Sequence, residues 1–209
     1  PADGKVRVVR VREEISLKEE LLPFGKKTTM DSNVPLDQTR VTQSGQMGVK
    51  VTRERVRFED GKEVSRGVDS DWIASEPAPE TIGIGTKITP ATADTPGGKI
   101  EYWRAVRVYA TSYAPCEQGY DHCSWSTASG MRLNKGVVAT SLRWYRMMLG
   151  QRVYITGYGF GVIGDYGGMS GMWIDLGFDE DQYKSQAFTG WVTMYFLTPV
   201  PANIMWTLP

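Results

Sequence analysis

The sequence predicts an all-β protein in two parts: an elongated strand module, then a linker and a small barrel. Three observations carry this. Short β-branched and aromatic runs recur along the chain, separated by Gly, Pro and Asn/Asp turns. Helical periodicity is scarce, with only 141–149 and 179–186 able to form short helices. Composition also changes near residue 100, from charged and thin in apolar bulk to rich in aromatic residues and glycine.

The first part begins with Lys5-Val-Arg-Val-Val-Arg-Val-Arg12, a basic β-branched strand. Residues 49–58 form another, with Arg53, Arg55 and Arg57 on one side and Glu54, Val56 and Phe58 on the other. Asp60-Gly61 is a hairpin signal joining it to Glu63-Val-Ser. The Arg row reads as a solvated strand face paired with nearby Glu rather than as a ligand site. Residues 89–101 carry two prolines and two glycines with little apolar bulk, which is expected of a linker. The second part offers strands at 106–113, 137–140, 152–155, 159–163, 173–178 and 191–197. Many short strands with frequent turns suit a small barrel. The tail 199–209 is expected to be extended, with its apolar residues packed back on the barrel.

Composition excludes several functions. The 24 Lys+Arg balance 24 Asp+Glu, and the balance holds on both sides of residue 100, at sixteen of each sign before it and eight after. A nucleic-acid or anionic-membrane binder would show a basic excess. No run approaches the ~20 apolar residues of a transmembrane helix. Seven Trp and ten Tyr, concentrated in the second half, suit carbohydrate stacking and equally an ordinary core. No cofactor motif is present. Cys116 and Cys123 are expected to close a surface loop as a disulfide. The rival is a metal site using Cys116, His122 and Cys123, for which the single histidine leaves no obvious fourth ligand. An oxidised pair implies an exported protein, and the absent signal peptide a mature chain.

The chemistry-bearing stretch is Gly164-Asp-Tyr-Gly-Gly-Met-Ser-Gly-Met-Trp-Ile-Asp-Leu-Gly-Phe178, with Asp165 and Asp175 ten residues apart. Period two puts Trp173, Asp175 and Gly177 on one face and Ile174, Leu176 and Phe178 on the other. It likewise places Gly159, Gly161, Ile163 and Asp165 together, opposite Tyr158, Phe160 and Val162. Repeated glycine on one face suggests close approach to the backbone. If the two strands are neighbours, both carboxylates open onto one groove. The bland alternatives are a turn role for Asp165, bonded to backbone amides, and a hydrogen bond to Asp175 from a buried tyrosine or Arg152. Trp144 and Tyr145 are equally readable as core.

Both parts resemble known exported modules. Leu22-Pro-Phe24, Val41-Thr-Gln-Ser-Gly45, Gly48, Asp60-Gly61 followed by Val64-Ser-Arg66, and Ile84-Gly-Thr-Lys87 resemble the markers of a G5 domain, from about residue 12 to 88. The resemblance implies an elongated all-β adhesive module of wall-associated proteins, sometimes linked to N-acetylglucosamine binding. With the composition and strand pattern above, 1–88 is assigned to that module, 89–101 to the linker, 102–198 to the barrel and 199–209 to the tail.

Residues from about 108 to 197 are similar to the 3D domain, named for three aspartates, with a double-psi β-barrel fold. The similarity rests on Ala110-Thr-Ser-Tyr-Ala-Pro, Cys123-Ser-Trp-Ser-Thr-Ala-Ser-Gly130, Lys135-Gly-Val-Val-Ala139, Leu149-Gly-Gln-Arg-Val-Tyr-Ile-Thr-Gly-Tyr-Gly159, Asp165-Tyr-Gly-Gly168 and Trp173-Ile-Asp-Leu176. Related barrels belong to lytic transglycosylases that cut peptidoglycan. One departure is clear. The family's first aspartate follows Val-Ala-Val, whereas this chain has Val138-Ala-Thr-Ser141, and serine cannot hold charge.

The resemblance implies a cell-wall or cell-surface protein acting on peptidoglycan or another glycan, with Asp175 as acid/base and Asp165 beside it. Its carboxyl would have to titrate above the usual ~3.9. Desolvation against Trp173 and Leu176 and the charge of Asp165 would both act that way. Ser141 and Thr127 are candidates to orient the sugar or the acid, and Trp144, Tyr145 and Trp173 to stack on it. A non-catalytic surface protein that binds glycan, or assembles with further copies through edge strands, is the alternative.

Overall fold

The computed structural model describes residues 4, 6–117 and 122–208, and the chain divides into two compact units. The first comprises Pro1–Met30 and Thr39–Gly83, the second Asp31–Gln38 and Ile84–Pro209. The described residues are mostly β, with two short helices. No helix among the described residues is long and apolar enough to cross a membrane.

The six strands of the first half are β1 (Val11–Leu22), β2 (Lys26–Pro35), β3 (Thr39–Gln43), β4 (Gly48–Glu59), β5 (Lys62–Ser75) and β6 (Glu80–Lys87). An antiparallel sheet of order β1-β4-β5 makes the body of the first unit. Asp60 and Gly61 link β4 to β5 with φ of 48° and 82°, the two positive values that a tight hairpin turn demands. This sheet is thin. Every residue of β5 and nearly all of β1 is solvent-exposed, and Val51 and Val56 of β4 are its buried apolar positions.

Charge compensates across the strands instead. Arg55 donates to Glu13 of β1 (2.7 Å) and Asp69 of β5 (3.3 Å), and Lys18 to Glu54 (2.6 Å). The Arg row is therefore the ion-paired, solvated face that its sequence implied. The basic run at the amino terminus is a correction: Lys5 lies outside the described residues, and strand begins only at Val11. The reason is pairing, because Val11 already faces Glu59, the last residue of β4, and Val6 and Val8 stay exposed.

The second unit holds β7 (Ala91–Thr95), β8 (Gly98–Tyr113), β9 (Val137–Ser141), α1 (Leu142–Met148), β10 (Arg152–Ile155), β11 (Gly159–Gly167), β12 (Trp173–Gly177), α2 (Glu180–Gln186) and β13 (Gly190–Leu197). Strand pairing runs β12-β9-β11-β10-β13-β8, and β12 returns to pair with β8, so six strands close a ring. The β12–β8 and β9–β11 pairs are parallel and the others antiparallel. Closure pairs both sides of each of these six strands and encloses a core of Val108, Val138, Ile163, Ile174, Leu176, Met194 and Phe196. Helix α1 adds Trp144 and Met148 to that core.

Residues 89–101 are not an open linker. Ala91–Thr95 pairs with the first turn-proximal residues of β8, from Thr95↔Gly98 to Ala91↔Tyr102. Pro96 and Gly97 occupy the turn, where Thr95 Oγ1 donates to Gly98 O (2.6 Å), and Ala93 packs on Ile100, Tyr154 and Leu197. The prolines and glycines that looked like linker composition mark the ends of a hairpin.

The tail packs back as expected. Met205 is buried, with Ile204 and Leu208 against the core. Arg104, its side chain only 1% exposed, donates to Met205 O (2.6 Å) and clamps the Asp37 carboxylate of the Asp31–Gln38 segment with two nitrogens.

Candidate functional site

Strand register assembles the site on the outer face of the barrel. Ala139 of β9 lies opposite Asp175 of β12 on one side and Asp165 of β11 on the other. The two acidic strands are thus not neighbours, as the sequence had left conditional. One strand stands between them, and its small alanine lets both carboxylates line one cleft.

A bulge at Gly164 makes this possible. Ile163 pairs with Val138 but Asp165 with Ala139, so Gly164 is an extra residue. The slip turns Asp165 away from the core face where Ile163 is fully buried. Simple alternation had put those two side chains together, and the bulge overturns it. On β12 the alternation holds: Ile174 and Leu176 are fully buried, while Trp173 and Asp175 face outward.

The two aspartates live differently. Asp165 accepts three hydrogen bonds of 2.9 Å, from the Tyr113 hydroxyl and the Ala128 and Tyr166 amides. The amide contacts are those the alternative reading gave Asp165, but the residue lies within β11 and not in a turn. Asp175 accepts one side-chain bond, from Thr111 Oγ1 (2.9 Å), which itself accepts the indole N–H of Trp173 (2.8 Å). Among the described residues, neither Arg152 nor a tyrosine supplies that donor. Burial pushes the Asp175 carboxyl above the ordinary range, and the charge of Asp165 pushes the same way. The Thr111 hydroxyl and the Leu176 amide oppose them without reversing the direction. Tyr113 is held protonated by burial and by Asp165 beside it, which keeps it a donor.

The cleft has a volume of ≈ 280 Å³ and is lined by Asp165, Asp175, Ala139, Tyr113, Ser112, Glu117 and the loop Tyr166-Gly-Gly-Met169. Roomier concavities, of ≈ 320 Å³ beside Met147 and Pro201 and ≈ 700 Å³ beside Arg10 and Phe58, contain no pair of carboxylates, and in the ≈ 380 Å³ one that holds Glu13 and Asp69 both are ion-paired to Arg55. Chemistry, not size, selects the smaller one.

The other expected residues divide. Trp173 is 40% exposed and next to Asp175. Tyr145 stacks on Tyr166, which lines the cleft, with ring centroids 5.2 Å apart. Trp144 is a correction: it is 1% exposed and packs toward Phe196, so it presents no face to a ligand. Ser141 closes β9 and precedes α1, beside Gly167 rather than among the carboxylates' own partners. Thr127 is buried and its hydroxyl meets Ser129 (3.0 Å), so its role is to shape the turn whose next amide, Ala128, holds Asp165. Thr111 and Tyr113 were not assigned roles from sequence, although both lie in Ala110-Thr-Ser-Tyr-Ala-Pro. Their signal was alternation: Thr111 and Tyr113 share the outward face of a strand whose Val108 and Ala110 point inward.

Cys116 and Cys123 form a disulfide, which removes both thiolates from any metal site. Residues 118–121 of that loop lie outside the described residues. The Cys116 amide donates to Glu180 (3.0 Å), fixing the loop where Glu117 enters the cleft.

Residues 13–87 match the family model of the G5 domain. Its glycine markers have a steric basis: a Cβ on Gly45 would lie 2.2 Å from the Phe24 ring, and one on Gly85 1.8 Å from the Pro35 carbonyl. Among solved structures, the IgA1 protease G5 domain is 25% identical, covering 40% of this chain and 99% of that one, with a TM-score of 0.33. HP0197-G5 is 23% identical, covering 35% and 96%, with a TM-score of 0.29. No curated protein matches the chain.

Proposed function

We propose that this is a cell-surface, glycan-binding protein in which the G5 domain holds the wall and the second unit is a 3D-type double-psi barrel with lytic transglycosylase activity. The disulfide supports an oxidising, extracellular setting. The observation that carries the catalytic reading is the pair Asp175 and Asp165 flanking Ala139 in one open cleft, with Asp175 desolvated.

Non-hydrolytic cleavage needs one acid. Protonated Asp175 gives its proton to the glycosidic oxygen as the C–O bond breaks. The sugar's own 6-hydroxyl attacks the anomeric carbon, and the Asp175 carboxylate takes the hydroxyl proton. The acid is restored and no water is consumed. Thr111 orients the carboxyl through its 2.9 Å bond, and burial, with the charge of Asp165 acting the same way, shifts Asp175 toward its protonated form.

Digestion of purified sacculi by the full chain is expected to release 1,6-anhydromuramyl products, read by mass spectrometry. Asp175→Asn should lower the yield by about 10²–10⁴-fold, the contribution of a positioned acid. A wild type that releases none, or an unchanged yield in the variant, overturns the catalytic reading. A second reading, binding without cleavage, has its own support: Ser141 brings no charge, and Asp165 already accepts three hydrogen bonds. Sacculus binding with no product would establish it.

A further inference from the structure

Beside the acid cleft, the same outer face carries a row of aromatic rings. Trp191 of β13 pairs with Tyr109 of β8, and Tyr109 pairs with Trp173 of β12, so the three lie on one rung of adjacent strands. Their strand neighbours Val108, Ala110, Ile174 and Val192 are buried, which fixes the rings outward. Trp191 is 57% and Trp173 40% exposed, and Tyr109 meets Trp191 edge-on with centroids 5.6 Å apart. The next rung along β8 and β12 is Thr111 and Asp175. On the other side, Arg107 lies over the Trp191 ring at 5.6 Å and has no carboxylate partner among the described residues.

We propose that Trp191, Tyr109 and Trp173 form a stacking platform for a carboxylate-bearing polysaccharide, running across the barrel into the cleft, with Arg107 meeting an acidic substituent. This rests on the glycan reading above but not on cleavage. Adjacent strands lie about 4.8 Å apart and the Tyr109 and Trp191 ring centroids 5.6 Å apart, a step comparable to one sugar ring. The apolar face of a pyranose lies on an aromatic ring while its hydroxyls stay solvated, and the rim supplies polar Thr193, Thr111 and Arg107. A second protein copy fits poorly. Three aromatic side chains, each of about 150–250 Å² and partly covered, fall well short of the ~800 Å² per partner of a stable interface. The Trp173 indole N–H, committed to Thr111, ties the platform directly to the hydroxyl that orients Asp175.

The test is residue-resolved oxidation of the full chain, followed by mass spectrometry, with and without soluble muramyl glycan fragments. Binding through the G5 domain then cannot mask the result. Asp175→Asn serves as the protein, so that nothing is consumed. Protection of Trp191 and Trp173, with Trp125 (also exposed, beneath Arg132) unprotected, is the expected outcome. Trp191→Ala should weaken fragment affinity about tenfold, and Arg107→Gln should produce a smaller loss that vanishes near 1 M salt, where screening acts over about 3 Å. Equal oxidation of Trp191 with and without glycan overturns the platform, as does a Trp191→Ala variant that binds normally. A change of particle mass in Trp191→Ala, indicating self-association, also overturns it. If protection is seen while the wild type releases no anhydro product, the platform stands and the transglycosylase reading falls.

Discussion

The two units solve charge in opposite ways. In the first, Arg55 bridges Glu13 and Asp69 across three strands, and all three side chains keep between 29% and 43% exposure. In the second, Arg104 is 1% exposed and its guanidinium is divided between Asp37 and the Met205 carbonyl. The chemistry of the pairs is the same, but the surroundings decide what each is worth. Exposed pairs are screened and hold side chains whose entropy resists, so they set register and solubility more than stability. A buried guanidinium has given up its water and depends on its partners.

Removing a partner should therefore have unequal consequences. Asp37→Ala leaves Arg104 without its counter-charge and is expected to cost about 3 kcal/mol, the low end for a broken buried pair because Asp37 itself is partly solvated. Chemical denaturation followed by tryptophan fluorescence measures it, since six of the seven tryptophans lie in the second unit. A loss no larger than that of an exposed pair would show that water replaces Asp37.

In the first unit the effect is smaller. Asp69→Ala removes a shared partner of Arg53 and Arg55, and hydrogen exchange should quicken modestly in β4. Raising salt to about 1 M, where screening acts over about 3 Å, should quicken the wild type toward the variant and leave β4 of the variant less changed. Exchange in β8 and β13 should ignore both. Salt-independent protection of β4 would mean that Val51 and Val56, not the ladder, hold the sheet.

Sequence revealed much of this because alternation and turn chemistry are local. Asp60-Gly61, the strand candidates from 106 to 197, the two helices and the Cys116–Cys123 bond are set by nearest neighbours or by a reactive pair. What it missed was long-range. The hairpin in 89–101 forms because β8 extends back to Gly98 and offers an edge. The outward aim of Asp165 depends on an extra Gly164 that only the β9 register exposes. Trp144 is core because α1 lies on the barrel, and Thr111 joins the site because β8 runs parallel to β12. Pairing partners sixty residues away leave no mark in a strand's own pattern. The carboxylates were legible and the groups that tune them were not.

The finest comparison is between the two aspartates, and pH resolves it. Burial raises the Asp175 carboxyl above its unfolded value of ~3.9, so the native state binds the proton more tightly than the unfolded chain. Its contribution is fully present below the unfolded value and is lost as pH rises through the folded one. Asp175→Asn keeps an oxygen that can accept from Thr111 but has no proton to lose. The melting temperature of the variant relative to wild type should therefore climb as pH rises from about 4, then level off once the wild-type acid has ionised. A difference that moves the opposite way would mean that the fold favours the carboxylate at 175. A group stabilised in that form has no proton to give a leaving sugar, and Thr111 would then be an anchor for an anion rather than the support of an acid.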